Sequence, residues 1–209
     1  MPISKVHNCD CLEFMRSLPD NYFDLCIADP PYGINAGKMT MGSGKHKFTK
    51  GKDWDSKVPS DELFDEIFRV SKNQIIWGGN YFKLPLCKDW IIWDKLNPNL
   101  SFAEAELAWC SINRNIRIFK YLSTKLDNGG KIHPTQKPVA LYAWLLDNYG
   151  KWGGVKYSTH FWGVEAVELQ HTRKASISML ANLTKIISKH KKNASEQSVW
   201  GRINKRMVV

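Results

Sequence analysis

Short apolar runs alternate with amphipathic helical patterns along the first 150 residues of the chain. Four largely apolar runs predict buried strands at residues 23–28, 74–77, 90–93 and 106–109. Apolar residues spaced three and four positions apart predict helices over 12–18, from residue 61 onward, and over 138–149. Strands that alternate with helices indicate an α/β fold whose sheet is mostly parallel.

Two of the predicted helices have recognisable starting signals. Ser60 is predicted to cap the first of them, because Asp61 and Glu62 after it suit the positive end of a helix dipole. Pro138 suits the first turn of the second. The residues expected to face the core are Leu63, Phe64, Ile67 and Phe68 in the first helix, and Leu141, Leu145 and Leu146 in the second.

The composition limits the class of protein. With 209 residues and 43% hydrophobic content, the chain suits one compact domain. No apolar run approaches the roughly 18 residues of a membrane helix, and the N-terminal segment does not resemble a signal peptide, so we expect a cytoplasmic protein. The five cysteines are not spaced like zinc ligands, so we expect reduced thiols and no bound metal.

Basic charge is concentrated in two segments. Residues 151–209 hold eleven of the thirty Lys and Arg but only three of the twenty acidic residues, which fits either a DNA-binding arm or a segment of different origin. The loop 37–57 holds six lysines and the string GSGKHK, which does not satisfy the pattern of a nucleotide-binding P-loop. Lys45 and Lys47 are candidate phosphate contacts, and a merely solvated loop is the alternative.

The strand predicted at 23–28 runs directly into Asp29-Pro30-Pro31-Tyr32. Open α/β sheets bind their ligands at the carboxyl ends of strands, so these four residues have the position of a ligand site. The tetrapeptide arises by chance on the order of once in a thousand chains of this length. The structural alternative is a turn stiffened by two prolines.

These residue types suit methyl transfer to an exocyclic amino group of a nucleobase. Such an amine is a poor nucleophile, because its lone pair is delocalised into the ring. The Asp29 carboxylate and a carbonyl held by the prolines can accept both amine hydrogens, which turns the lone pair toward a methyl donor. Tyr32 can stack on the base, which has to leave the duplex to reach such a pocket.

Three segments carry a resemblance to a known family. NCDCLEFMRSLPDNYFDLCIADPPYGI, IIWGGNYF and HPTQKPVALYAWLLDNY resemble the N6-adenine/N4-cytosine DNA methyltransferases, in the subgroup whose catalytic motif precedes its cofactor motifs. The resemblance covers about residues 6–149. It implies a Rossmann-like methyltransferase domain at 1–150, S-adenosylmethionine as methyl donor, and double-stranded DNA with a flipped-out base as substrate. It favours N6 of adenine, with N4 of cytosine as the rival, in a bacterial or phage modification enzyme.

The resemblance also implies roles for individual residues. The catalytic motif would be Asp29, Pro30, Pro31 and Tyr32, and the cofactor would be bordered by Asp10, Cys11, Asp29, Lys137 and Pro138. Target recognition is expected in the stretch of about 94–131, with Arg114, Arg117 and Lys120 as DNA contacts. Asp10 as a helix N-cap, His133 as a turn residue and 77–80 as a tight strand-end turn are the structural alternatives.

Beyond Tyr149 the chain departs from the family. The subgroup expects a strand and then a glycine-rich turn that lets the backbone approach the cofactor, but only Gly163 stands at that place. We hypothesise that residues 151–209 are an out-of-frame tail with the slip near 150–154, because another frame permits ILDTFLGSGSS there; a divergent tail is the alternative. The fold is then incomplete after about residue 150, and this chain is inactive or a DNA-binding remnant.

Overall fold

The computed structural model describes most of the first 150 residues and two short segments after them. The described residues are 3–7, 10–38, 55–97, 103–112, 114–122, 137–150, 155–161 and 165–171. None of the helices in this described part has the length and apolar character needed to cross a membrane.

Three α-helices, eight strands and two short 3-10 helices, at Ala36–Lys38 and Gly79–Tyr81, make up the regular structure of the described residues. The helices are α1 (Cys11–Arg16), α2 (Asp61–Val70) and α3 (Val139–Tyr149). The strands are β1 (Ile3–His7), β2 (Leu25–Asp29), β3 (Gln74–Trp77), β4 (Asp89–Asp94), β5 (Ala105–Cys110), β6 (Arg117–Lys120), β7 (Val155–Phe161) and β8 (Glu165–His171). The predicted helices and the four predicted strands are thereby confirmed to within a few residues. β1, β6, β7 and β8 were not predicted, and the last two lie where the fold was expected to be incomplete or irregular.

The described strands form one sheet in the order β1-β8-β7-β2-β3-β5-β4-β6. Pairing is parallel for β2 with β3, β2 with β7 and β4 with β6, and antiparallel at the remaining four contacts. The sheet is therefore mixed and only partly parallel. The reason is that β5 and β8 return after short connections, of which 162–164 is the shortest, and a parallel neighbour needs a crossover of about a dozen residues or more.

Helices cover both faces of the sheet, because side chains alternate along each strand. Leu25 and Ile27 of β2 belong to the core cluster that includes Leu141 and Leu145 of α3. Cys26 and Ala28, the intervening residues, belong to the cluster that contains Met15 of α1 and most of the apolar face of α2. The expected inward residues of α2 and α3 are buried or half-buried. The result is a three-layered α/β arrangement, which is compatible with a Rossmann-like fold.

Helix α2 begins where the sequence predicted, with one difference at its first position. Ser60 lies at the N-cap with an extended backbone, but its side chain makes no capping hydrogen bond. The helix is held at its other end by Arg69, which donates to the carbonyl oxygens of Met15 and Leu18 and pairs with Asp20 and Glu66. Packing and this arginine therefore stabilise α2 more than its predicted cap does.

Strand direction brings the ends of several strands to one edge of the sheet, called here the carboxyl edge. β2, β3 and β4 run in the same direction and end there, while the reversed strand β5 begins there. The register places Glu106 opposite Trp93 and Ala105 opposite Asp94. In the same way β7 ends with Phe161 opposite Asp29. Residues far apart in the sequence therefore meet around Asp29.

Candidate active site

Asp29 is the last residue of β2, and the two prolines that follow it are buried. The turn beyond them is fixed by Asp55, which is itself buried. The Asp55 carboxylate accepts hydrogen bonds from the backbone N–H of Gly33 at 2.9 Å and of Ala36 at 2.8 Å, and its carbonyl accepts from Asn35. These bonds fix the turn at residues 33–36, which directly follows the Asp29-Pro30-Pro31-Tyr32 segment. Asp55 was not recognised from the sequence, where it is one of two aspartates, with Asp53, near the end of a lysine-rich polar loop.

Four charged side chains and one phenol meet at the carboxyl edge and are called here the Asp29 network. The Lys137 ammonium lies 2.5 Å from Oδ1 of Asp29 and 3.1 Å from Oε2 of Glu106. Lys95 binds the other oxygen of Glu106 at 2.8 Å. The Tyr32 hydroxyl donates to Oδ1 of Asp29 at 2.9 Å and lies 3.0 Å from the Lys137 ammonium. With two carboxylates and two ammonium groups, the network carries no formal net charge.

Burial and charge act in opposite directions on the acids of this network. Burial raises the pKa of Asp29 above its usual value, and the nearby Glu106 adds to that effect, while Lys137 opposes it. Burial also raises the pKa of Glu106, but the ammonium groups of Lys137 and Lys95 outweigh it and lower that pKa to about 2. Asp29 is thus the more easily protonated of the two carboxylates, which suits a group that accepts hydrogens from a substrate.

Glu106 and Lys95 were not recognised as site residues from the sequence. Each is a charged residue close to the apolar run of a strand, since Glu106 is the second residue of β5 and Lys95 follows β4. Both side chains are largely buried. Charged residues are rarely buried unless paired, so their positions beside apolar strands were the available signal.

Two aromatic rings pack on Tyr32, whose hydroxyl binds Asp29. Tyr32 stacks on Tyr81 with ring centroids 5.2 Å apart and planes 12° from parallel, and Phe82 meets Tyr32 edge-on. Tyr32 is half-buried and its hydroxyl is bound in the network, whereas Tyr81 is 45% exposed. A base cannot reach the face of Tyr32 that Tyr81 covers unless Tyr81 moves. Tyr81 lies in the IIWGGNYF segment that carries the family resemblance, but no sequence pattern marked it as a site residue.

Gly78 is predicted to be the most sensitive glycine of the site. Its φ is +71°, and a Cβ there would lie 2.3 Å from the Tyr32 ring. We expect Gly78→Ala to lower the free energy of unfolding by about 2 to 4 kcal/mol, since left-handed backbone and overpacking both cost energy. Chemical denaturation measures this. Gly150→Ala is the control, because its φ of −70° suits any residue; equal losses in both variants would contradict the prediction.

The left-handed backbone of Gly78 at the end of β3 confirms the tight turn predicted at 77–80.

The residues expected at the cofactor lie at two places. Asp10 is exposed and caps α1, accepting hydrogen bonds from the backbone N–H of Leu12 and Glu13, as the structural alternative had it. Cys11 is the half-buried first residue of α1. Lys137 and Pro138 are buried at the start of α3, and Lys137 is bound to the acids of the Asp29 network. A cofactor contact by any of the four remains a prediction.

The candidate DNA contacts are distributed over both ends of the sheet. Lys120 pairs with Asp94 at the carboxyl edge, but Arg117 pairs with Ile91, roughly 10 Å farther down the strand. Arg114 lies at that lower end, where it donates to the carbonyl oxygen of Asn148. Only Lys120 therefore shares an edge with Asp29 among these three. Lys45, Lys47, His133 and Gly163 lie outside the described residues.

Similarity to curated proteins covers part of the chain, and no protein-family model matches it. The type II methyltransferase M.BamHI of Bacillus amyloliquefaciens is 32% identical over 80 residues, which is 38% of this chain and 17% of that protein. The type II methyltransferase M.HinfI of Haemophilus influenzae is 25% identical over an alignment of 185 residues, covering 63% of this chain and 52% of that protein. The chain thus spans about half the length of one relative and less of the other.

Proposed function

We propose that this chain is built as a DNA methyltransferase that transfers a methyl group from S-adenosylmethionine to N6 of adenine. The observation that carries the proposal is the Asp29 carboxylate at the end of β2, held by buried prolines and by the Asp55-fixed turn. The partial similarity to two type II methyltransferases supports the same reaction class.

The residues of the site divide the chemistry as follows. S-adenosylmethionine supplies a methyl group on a positively charged sulfur when bound. The ionised Asp29 carboxylate accepts one hydrogen of the amino group, and a main-chain carbonyl of the Pro30–Pro31 turn accepts the other, so that the nitrogen lone pair faces the methyl group. As the new N–C bond forms, the sulfur–methyl bond breaks with its electron pair left on the sulfur, and the nitrogen has one proton in excess. Asp29 is placed to receive that proton and release it to water.

Tyr81 is proposed as the aromatic side chain that holds the flipped base. It is exposed and already stacks on Tyr32, so its ring extends an aromatic surface from the network toward solvent. The sequence predicted only Tyr32 as the ring that stacks on the base, and the proposal adds Tyr81.

Removal of the Tyr81 ring is expected to weaken binding of the flipped base. Stacking of a base on an aromatic side chain contributes about 1 to 3 kcal/mol, which corresponds to roughly 5- to 150-fold in affinity. We expect Tyr81→Ala to lose affinity in that range for duplex DNA carrying 2-aminopurine at the target position, measured by its fluorescence. Tyr81→Phe keeps the ring and should retain the affinity. Equal binding by both variants would contradict the role of the ring.

The cofactor part of the site is proposed from position. β1 runs in the same direction as β2, so Asp10, which follows β1, lies at the same edge of the sheet as Asp29. The two strands are three strand spacings apart, which is roughly 14 Å across the sheet. At that distance Asp10 would contact a part of the cofactor remote from the methyl group. Cys11 and Pro138 would border the same space. Lys137 is less suited to an anionic group of the cofactor, because its ammonium is already bound to two carboxylates.

The turn after β7 is proposed as the incomplete half of the cofactor site. Phe161, the last residue of β7, pairs with Asp29, and residues 162–164 that follow it in the chain lie outside the described residues. Trp162 and Val164 stand there in place of the glycines that the family resemblance implies. We attribute this to an out-of-frame tail at 151–209, and sequencing the gene around codons 150–156 tests the attribution. If changing one base there does not restore a glycine-rich motif, the tail is divergent.

DNA contacts are proposed for basic residues in two parts of the domain, residues 114–120 and the loop 37–57. Lys120, at the carboxyl edge, is suited to a phosphate near the flipped base, and Arg114 and Arg117 to phosphates farther along the duplex. Lys45 and Lys47 are assigned the same role, and the stretch of about 94–131 is assigned target recognition.

A methyl-incorporation assay tests the proposed function. The chain and its frame-restored version are incubated with duplex DNA and labelled S-adenosylmethionine, and the product nucleosides are separated. We expect N6-methyladenine from the frame-restored version. N4-methylcytosine as the product would show that the substrate base is cytosine and not adenine. If neither version incorporates methyl groups, the alternative of a non-catalytic DNA-binding protein is left.

A further inference from the structure

Asp29 uses only one of its two carboxylate oxygens within the described residues. The Lys137 ammonium and the Tyr32 hydroxyl both bind Oδ1, at 2.5 and 2.9 Å. The Asp29 side chain is 18% exposed, whereas the side chain of Lys137 beside it is only 1% exposed. Oδ2 therefore remains for a ligand, while Oδ1 is held from inside the protein.

We propose that Lys137 and Glu106 are positioning residues for Asp29, with the Lys137 ammonium holding Oδ1 of Asp29 and the Glu106 carboxylate holding Lys137. The proposal rests on the proposed function, because it assigns Oδ2 of Asp29 to the amino group of the substrate. It gives Lys137 a role different from the cofactor contact that the family resemblance implied.

Charge balance explains why both positioning residues are needed. An ammonium group is costly to bury unless it is paired, and Lys137 is buried with two carboxylates in contact and the rings of Trp77 and Tyr32 at 5.1 and 5.6 Å. One carboxylate alone would leave Lys137 bound chiefly to the catalytic acid. Glu106 shares the ammonium and is in turn neutralised by Lys95. Asp29 thus keeps a fixed partner without being the only counter-ion.

The groups facing Asp29 come from four elements, and their effects on it differ in sign. Lys137 precedes α3 and favours the ionised carboxylate, whereas Glu106 of β5 disfavours it by like charge. Tyr32, from the turn after β2, donates a hydrogen bond that favours ionisation. Lys95, which follows β4, acts through Glu106. The buried phenol of Tyr142 in α3 also lies near both acids, since burial and then the charges of Asp29 and Glu106 raise its pKa. Removing Lys137 and removing the charge of Glu106 should therefore move the pKa of Asp29 in opposite directions.

Carbon-13 NMR of the 209-residue chain, labelled at the aspartate carboxyl carbons, tests the network without requiring activity. The Asp29 signal is assigned with Asp29→Asn. We expect Glu106→Gln to lower the midpoint of the Asp29 titration and Lys137→Met to raise it. Lys72→Met is the matched control, since Lys72 pairs with Asp24 at 2.8 Å on the surface, and it should leave the midpoint unchanged. Midpoints that move in the same direction, or not at all, would overturn the proposal.

The near-isosteric Glu106→Gln keeps the proposal falsifiable if Lys137→Met does not fold. In the frame-restored enzyme, the acid limb of the kcat/KM profile should follow the same shift, because Asp29 accepts amine hydrogens only when ionised. A purely structural role would change the amount of active enzyme and leave the limb in place, which would also overturn the proposal. Opposite NMR shifts without methyl transfer would uphold the network and contradict the proposed function. Methyl transfer without NMR shifts would do the reverse.

Discussion

Replacing Asp29 by asparagine is expected to reduce methyl transfer by the frame-restored enzyme at least about 100-fold, the lower end of what a positioned acid or base contributes. The amide cannot take the proton that the amino nitrogen releases, and its NH₂ group repels an amine hydrogen where a carboxylate oxygen accepts one. Asp29→Ala should be at least as damaging, because it removes both acceptor oxygens. Incorporation of labelled methyl groups into DNA, at saturating substrate, measures the effect.

Asp24 provides the control on the same segment of chain. It immediately precedes β2, pairs with Lys72 at 2.8 Å, and so resembles the Asp29–Lys137 pair at the other end of the strand. Asp24→Asn is expected to retain most of the activity. If Asp29→Asn transfers methyl groups at an unchanged rate while its folding is intact, the proposed mechanism is wrong.

Restoring the reading frame after about residue 152 is expected to change cofactor binding from weak or undetectable to readily measurable. The physical reason is space, because a glycine-rich turn lets the backbone approach the cofactor, whereas Trp162 and Val164 would fill that volume. Isothermal titration calorimetry of both proteins with S-adenosylmethionine measures the difference.

A third protein makes the calorimetric test specific. In the frame-restored chain, the glycine at the junction of positions 162 and 163 is replaced by valine, which should abolish the gain. Micromolar affinity in the chain as it stands would contradict the prediction and identify the tail as a divergent cofactor half. Equal affinity of the glycine and valine versions would show that the turn does not limit binding.

The strands differ in how far the apolar pattern of the sequence predicted them. The runs at 74–77 and 90–93 were assignable because Ile75–Trp77 and Trp90–Trp93 are continuously apolar, and the structure places β3 and β4 there. β6 was missed because it begins with Arg117 and ends with Lys120, which leaves an apolar run too short to predict a strand. Only pairing with β4 makes it a strand. The expectation of a mostly parallel sheet failed at β5 and β8, because chain direction depends on connection length and packing as well as on the alternation of elements.

What the sequence determined by itself was the motif and its location, since Asp29-Pro30-Pro31-Tyr32 follows a buried run and local stiffness needs no partner. The helix boundaries near Asp61 and Pro138 were determined in the same local way. Only the tertiary structure decided which charges surround Asp29, because Glu106 and Lys137 are 77 and 108 positions away in the chain. Contacts of that kind arise from strand order and register, which long-range packing selects and local patterns do not encode.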